Sequence, residues 1–444
     1  MGVFFGTDGL RGKVNDELSR EIAYKCGNAL GGKYPNSKII IGRDTRRTGA
    51  LISLSFATGA MNAGCNLVDV GVCPTAGISY LTSHFGFDFG VVISASHNSA
   101  EYNGIKIFDR NGRKIGDKIE EELEKLFLKE IVMPFDKVGT LEFNPRLVLK
   151  YENFLSESIS NSLKGKTIVL DCANGSSFKI APAVFRDNKA KIIATYCKPD
   201  GLNINKGCGA LNISRLQKYV LKYKADMGFA FDGDSDRVIA VDENGEVVDG
   251  DKILYLLATE YLASAKLNPP VVVGTRHTNM GVENALNEKG IKLVRADIGD
   301  KYVSAKMVEN NYVLGGEQSG HVIMADKLST GDGVLSALQI TSICVARNKK
   351  LSELFGFELY KQKNINVPVY DKIRMVNSAR LAEVTELEEK KLENHGRIMI
   401  HVSGTEPYIR VMVETKDMNL STEVAERIAS DIKEINKENE KCAE

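Results

Sequence analysis

The stretch Phe229-Ala230-Phe231-Asp232-Gly233-Asp234-Ser235-Asp236-Arg237 decides the fold, because an apolar run breaks off there into three carboxylates at alternate positions. A short apolar run ended by a polar turn reads as a buried strand. Three acids so close repel one another unless a cation relieves them, and their oxygens suit a hard divalent ion. A calcium loop of the EF-hand type competes with this reading, since Glu243 falls at its twelfth position. Its sixth position is Arg237 where glycine is needed, and Val238-Ile239-Ala240-Val241 returns to a strand instead of a helix. A solvated acidic turn is the other competitor.

Working outward, the same layout occurs three times. Lys38 to Gly42, Thr167 to Asp171 and Val271 to Gly274 read as first strands. Helical segments follow at Thr48 to Ala63, Ser176 to Asp187 and Asn279 to Lys289, then second strands at Leu67 to Val70, Ile192 to Thr195 and Leu293 to Ala296. Third strands follow at Val91 to Ile93, Phe229 to Phe231 and Tyr312 to Leu314. Three such copies imply three similar α/β units with domains at 1–150, 151–252 and 253–364. Residues 365–444 read as a smaller α+β domain, with strands at Ile365 to Val369, Ile398 to His401 and Ile409 to Glu414, and helices near Leu381 and from Thr422 to about Lys437.

Ligands of parallel α/β sheets bind beyond the carboxyl ends of the strands. There the three copies carry Ser94-Ala95-Ser96-His97-Asn98, the aspartate loop, and Gly316-Glu317-Gln318-Ser319-Gly320-His321. Three loops with three chemistries point to one site built from three domains. Ser96-His97 alone reads by default as a structural turn; a hydrolase triad is disfavoured, because no G-x-S-x-G elbow surrounds it and adjacent side chains tend to diverge. If the loops converge, Ser96 sits opposite the aspartates. A phosphate on it would supply a metal ligand, His97 could orient it, and Lys106 could shuttle a proton or hold phosphate. Glu317, Ser319 and His321 suit neighbouring sugar hydroxyls, against a plain turn as the alternative. Ser403-Gly404-Thr405, with Arg410 on the next strand, suits a dianionic phosphate, or is an ordinary turn. The glycine-rich loop Gly6 to Gly12 carries Arg11 and matches no nucleotide-binding pattern.

Bulk properties agree. The chain has 444 residues, 43% of them apolar and 26% charged, with Lys+Arg and Asp+Glu both at 58. Length calls for several domains, and charge balance disfavours nucleic acid or an anionic membrane as partner. No signal-peptide or membrane-spanning run is present, and the eight cysteines, from Cys26 to Cys442, form no C-x-x-C pair. A cytoplasmic protein with reduced thiols is expected.

Taken in order, Phe5 to Gly12, Ser94 to Asn98, Asp232 to Arg237, Gly316 to His321 and Ser403 to Pro407 resemble the motifs of the α-D-phosphohexomutase family along the whole chain. The resemblance implies four domains around a central cleft, and an isomerase that moves a phosphoryl group within a hexose phosphate. It implies phosphorylated Ser96, Mg2+ held by Ser96, Asp232, Asp234 and Asp236, and Arg11 and Lys106 beside the transferring group, with His97 and Arg237 as further catalytic candidates. Glu317, Ser319 and His321 would read the sugar, and Ser403, Gly404, Thr405 and Arg410 its phosphate. A hexose 1,6-bisphosphate would serve as activator, with a homodimer as an allowed assembly. Gln318 and the Ser-Gly-Thr-Glu-Pro loop favour glucosamine phosphate, by resemblance, over glucose or mannose phosphate; a non-catalytic sugar-phosphate binder is the other alternative. Two departures stand out. Ser99 replaces the family's proline, which should loosen the serine turn. His401 replaces an arginine, exchanging a permanent bidentate cation for a partly charged ring.

Overall fold

The computed structural model describes residues 4–6, 8–393, 395–402 and 407–441, with side chains of the last helix described as far as Glu438. Residues 1–278 and 286–356 form one compact unit, and 279–285 with 357–444 another.

The first unit holds three sheets with one internal plan. In each, the first strand lies between the second and third, both parallel to it, and a further strand folds back antiparallel on the third. The four are Lys38–Arg43, Asn66–Val72, Phe89–Ile93 and Tyr102–Asp109 in the first sheet. In the second they are Thr167–Asp171, Lys191–Thr195, Met227–Phe231 and Val238–Asp242. In the third they are Val271–Thr275, Lys292–Ala296, Leu314–Gly316 and Val322–Met324. The first sheet adds Phe5–Gly6 and Gly9–Lys13 at one edge and Leu141–Phe143 at the other, and the second adds Val247–Val248. The sheets are therefore mixed, with helices in their crossovers.

The reversals position the site. Each candidate loop joins a third strand to its antiparallel partner, so all three share one place in the plan. Both faces of the first sheet are covered. Ile39, Ile41, Val91 and Ile93 pack with Leu30 and Phe56, while Ile40 and Val92 pack with Val70, Ile78 and Phe108. That alternation is the two-residue period of a strand buried on both sides. Asp332 starts the helix Gly333–Arg347 by accepting from the Leu335 amide at 3.0 Å, a helix-capping contact.

Three details differ from expectation. The third strand of the third copy is Leu314–Gly316, two residues later than Tyr312 to Leu314. Its two glycines read as turn formers, but close approach of Met307 and Val303 leaves no room for a side chain at Gly315. The helix expected from Ser176 begins at Ile180. Glu243, the would-be calcium ligand, instead accepts hydrogen bonds from the amide and hydroxyl of Ser352.

The second unit is an antiparallel sheet of Lys361–Pro368, Tyr408–Thr415 and Gly396–Val402, covered by Ala379–Leu392 and Met418–Lys441. Among the described residues no helix is long and apolar enough to cross a membrane. The seven described cysteines are free thiols, all buried except the half-buried Cys197.

Candidate active site

Ser96 adopts a left-handed backbone (φ 51°), a conformation that costs a residue with a Cβ about 1–2 kcal/mol. Its surroundings over-determine it. The Ser96 amide donates to Ser94 Oγ at 2.9 Å, and Ser94 Oγ donates to Asp44 Oδ2 at 2.6 Å. The buried Arg46 pairs with Asp44 at 2.8 Å and donates to the carbonyls of Ser96, Asn98 and Tyr102 at 3.0, 2.8 and 3.0 Å, and to that of Ser99. Asn205 donates to the Ser96 and Asn98 carbonyls, both at 2.9 Å. Charge-assisted bonds of this kind contribute roughly 1.5–3 kcal/mol each, so the clamp outweighs the strain. The Ser99 carbonyl is also one of the atoms Arg46 holds.

The aspartate loop packs directly against this turn. Ser96 Oγ donates to Asp232 Oδ2 at 2.6 Å and lies 3.3 Å from His97 Nδ1, so the adjacent side chains converge where divergence was expected. Asp232, Asp234 and Asp236 are 1%, 0% and 3% exposed, which removes the solvated-turn reading. Carboxylate oxygens of the three lie within 4.8 Å of one another. Lys106 Nζ donates to Asp234 at 2.8 Å and Asp236 at 3.0 Å, and Thr75 Oγ1 donates to Asp234 at 2.6 Å. Asp8 sits 3.4 Å from Lys106 and also pairs with Arg11 and Lys114; Lys114 in turn pairs with Asp300.

These contacts set the charges. Burial pushes Asp232 well up, and the neighbouring Asp236 and Asp234 push the same way. Burial would raise Asp236 too, but Lys106, His321 and Arg237 together outweigh it and hold this carboxyl well below its ordinary range. Lys106 is held firmly protonated, because Asp234, Asp236 and Asp8 overcome the cost of its burial. Burial and the Arg237 and Arg11 guanidiniums push His97 down to about 4, and Arg237 Nη1 lies 3.1 Å from its Nδ1.

The residues fit a divalent cation. Asp234 Oδ1 and Asp236 Oδ1 are buried without a hydrogen-bond partner. Six carboxyls, of Asp8, Asp232, Asp234, Asp236, Asp300 and Glu317, share a buried network with Arg11, Lys106, Lys114, Arg237 and the His321 ring, so among the described residues acidic groups outnumber basic ones there. A divalent ion bound by these carboxyls would add the positive charge that favours their ionised forms.

Glu317 reaches this network by accepting from the Gly299 amide at 3.0 Å, and burial raises its pKa. Ser319 is exposed. His321 is 1% exposed and accepts from the Gly331 amide at Nε2 (3.1 Å), with Asp236 3.8 Å from Nδ1 and Asp300 3.6 Å from Nε2. Gly320 (φ 92°) must be glycine, because a Cβ would stand 2.1 Å from the Val238 carbonyl. In the second unit, Arg410 is exposed and pairs across the strands with half-buried His401. Burial and Arg410 lower the His401 pKa. Ser403, Gly404 and Thr405 lie outside the described residues.

Asp44, Arg46, Thr75, Lys114, Asn205 and Asp300 were not anticipated from sequence. Only Gly42-Arg43-Asp44-Thr45-Arg46, charged residues directly after a buried strand, carried a usable signal.

Comparison with known proteins agrees with this geometry. Residues 2–132, 149–245 and 249–360 match alpha/beta/alpha domains I, II and III of phosphoglucomutase/phosphomannomutase, and residues 365–431 match its C-terminal domain. A phosphoglucosamine mutase of Alkaliphilus oremlandii is 42% identical, over 96% of this chain and 99% of its own. That of Clostridioides difficile is also 42% identical, over 98% and 99%. A phosphoglucomutase/phosphomannomutase family protein of Burkholderia thailandensis superposes with a TM-score of 0.83 at 22% identity, covering 96% of this chain and 97% of its own. With all four domains matched in order and full-length relatives this similar, the chain belongs to the phosphoglucomutase/phosphomannomutase family of phosphohexomutases.

Proposed function

We propose that this enzyme interconverts glucosamine 6-phosphate and glucosamine 1-phosphate through a phosphorylated Ser96 and a bisphosphate intermediate. The observation that carries the reading is the buried Ser96 hydroxyl, 2.6 Å from Asp232 at the edge of three converging carboxylates. Full-length similarity to phosphoglucosamine mutases supports the amino sugar as substrate.

Asp232, Asp234 and Asp236, with a phosphoryl oxygen on Ser96, would hold Mg2+. When bound, the ion neutralises charge on the transferring phosphoryl. The chain's own residues do the rest. The Asp44–Arg46–Asn205 clamp fixes Ser96 for in-line transfer, which is mainly a matter of positioning and electrostatics. Arg11 Nε and Arg237 Nε, buried and without a hydrogen-bond partner, would donate to phosphoryl oxygens. Lys106, held as a cation, fits phosphate binding better than proton shuttling. After transfer, the Ser96 hydroxyl rests its proton on Asp232 Oδ2. Glu317 and the exposed Ser319 would read the sugar. His321, buried beneath them, is better assigned to positioning Asp236 and Asp300 than to direct sugar contact. Ser403, Gly404, Thr405 and Arg410 would hold the non-reacting phosphate, and a hexose 1,6-bisphosphate would recharge Ser96.

The test is mutase turnover with Mg2+ and catalytic bisphosphate, comparing glucosamine, glucose and mannose 6-phosphates. Preference for glucosamine 6-phosphate, lost in Ser96→Ala together with the phosphoryl group seen by intact mass, is expected. Better turnover of glucose or mannose phosphate would overturn the substrate and keep the mechanism.

A further inference from the structure

Two thiols outside the site stand together at the carboxyl end of the second sheet. Thr167–Asp171 and Lys191–Thr195 are parallel neighbours whose last register pair is Asp171 with Thr195. Neighbouring strands run about 4.8 Å apart, so Cys172 and Cys197 follow this pair within reach of one another. The Cys172 amide donates to the Thr195 carbonyl at 3.2 Å, and Cys197 Sγ donates to the same carbonyl at 3.3 Å. Proximity of the two thiols lowers the pKa of Cys197 and raises that of Cys172. Cys172 is buried and Cys197 only half-buried, so one sulfur is open to small oxidants and the other is shielded behind it.

The pair lies on a short route to the nucleophile. The Asn174 amide donates to the Tyr196 carbonyl at 2.7 Å, and the Lys198 amide donates to Asn174 Oδ1 at 3.1 Å. The Asn205 amide donates to the Ala173 carbonyl at 2.9 Å, while its side chain holds the Ser96 and Asn98 carbonyls. Ala173, Asn174, Tyr196 and Asn205 all have left-handed backbones (φ 53°, 49°, 49° and 58°), so neither loop has slack to absorb a shift.

We infer that Cys172 and Cys197 form a redox-responsive dithiol, which peroxides close to a disulfide and which thereby slows the enzyme through Asn205. Cys197 is the attacking sulfur. Its thiolate takes the terminal oxygen of a peroxide, the O–O bond breaks, and hydroxide (protonated to water) or the alcohol leaves, giving a sulfenic acid. Cys172 then attacks that sulfur. The S–O bond breaks, a second water departs with the Cys172 proton, and the S–S bond forms. Two thiols are oxidised, one peroxide is reduced, and an external dithiol reverses the change. Ångström-scale displacement of a positioned reacting group is enough to cost orders of magnitude in rate.

The experiment treats the full chain, with Mg2+ bound, with a small excess of hydrogen peroxide, then denatures and alkylates it. A non-reducing peptide map and the mutase rate are read on the same samples. Expected are a Cys172–Cys197 linked peptide, a fall in turnover on the order of tenfold, and recovery of both with dithiothreitol. Cys197→Ser should keep the basal rate and lose both responses. Cys208→Ser, which removes another buried thiol beside Asp171, should keep both. The inference is overturned if Cys172 and Cys197 remain alkylated, if the link runs to Cys208, or if Cys197→Ser is inactivated like the parent. A link that leaves turnover unchanged overturns the coupling to Ser96. The peptide map needs no mutase activity, so it decides about the dithiol even if the proposed substrate is wrong.

Discussion

The Ser96 turn and the His401–Arg410 strand pair are both assigned to phosphate, yet they are built differently. The first is buried and strained, with its carbonyls held by Arg46 and Asn205. In the second, Arg410 is exposed, half-buried His401 is disfavoured as a cation, and the neighbouring residues are fixed by an ordinary antiparallel ladder. Bond-making requires atoms held to a fraction of an ångström, whereas holding a phosphate that must be released and re-bound needs charge and some freedom.

Four changes break or sharpen this contrast. Asp232→Asn keeps the shape but removes a charge from the metal cluster, so kcat should fall by roughly 10²–10³ and the Mg2+ concentration for half-maximal rate should rise. A metal titration of the rate checks this, and an unchanged Mg2+ dependence would remove Asp232 from the metal site. Arg46→Lys keeps charge but cannot span four carbonyls; kcat should drop about a hundredfold with KM nearly constant. A loss confined to KM would show that Arg46 serves binding instead of the turn. At the other region, His401→Arg restores a permanent cation and should lower KM for the sugar phosphate about three- to tenfold with kcat unchanged. No change in KM would mean that Arg410 or another basic residue already compensates.

The smallest effect is on stability. His97 has a folded pKa of about 4 against an ordinary 6.5, so between those values the folded protein binds fewer protons than the unfolded one. Stability contributed at His97 therefore rises with pH across that window and falls on acidification. Urea unfolding of the metal-free protein at pH 4.5 and 6.5 should show a smaller difference in His97→Gln than in the parent. An equal difference would place the acid sensitivity elsewhere.

What could be read in advance was local. Asp232, Asp234 and Asp236 follow a strand whose five residues are all buried, and Ser96 and Glu317 occupy the same reversal in sister sheets. The clamp was hidden because its members come from distant segments. Arg46 lies 50 residues from the carbonyl of Ser96 and Asn205 lies 109; the charged run after the first strand flags Arg46 but not its partner, and no comparable run flags Asn205. His321 misled for a related reason. Its place in an alternating polar motif suits sugar contact, but only the packing of Gly331 and Asp300 against it reveals a buried support. The late third strand shows the limit of glycine as a turn signal when a neighbouring helix needs the space.

Main-chain bonds help to seat the aspartate loop on its surroundings. The Thr75 amide donates to the Asp234 carbonyl, Gly333 to Ser235, Ser176 to Gly233, and Val238 to Gly320. Substitution cannot delete a main-chain carbonyl, and only proline deletes an amide hydrogen. The seating of the aspartate loop is thus insulated from most sequence drift, whereas the Ser96 turn still depends on the side chains of Asp44, Arg46 and Asn205. A TM-score of 0.83 surviving at 22% identity is what such insulation would leave behind.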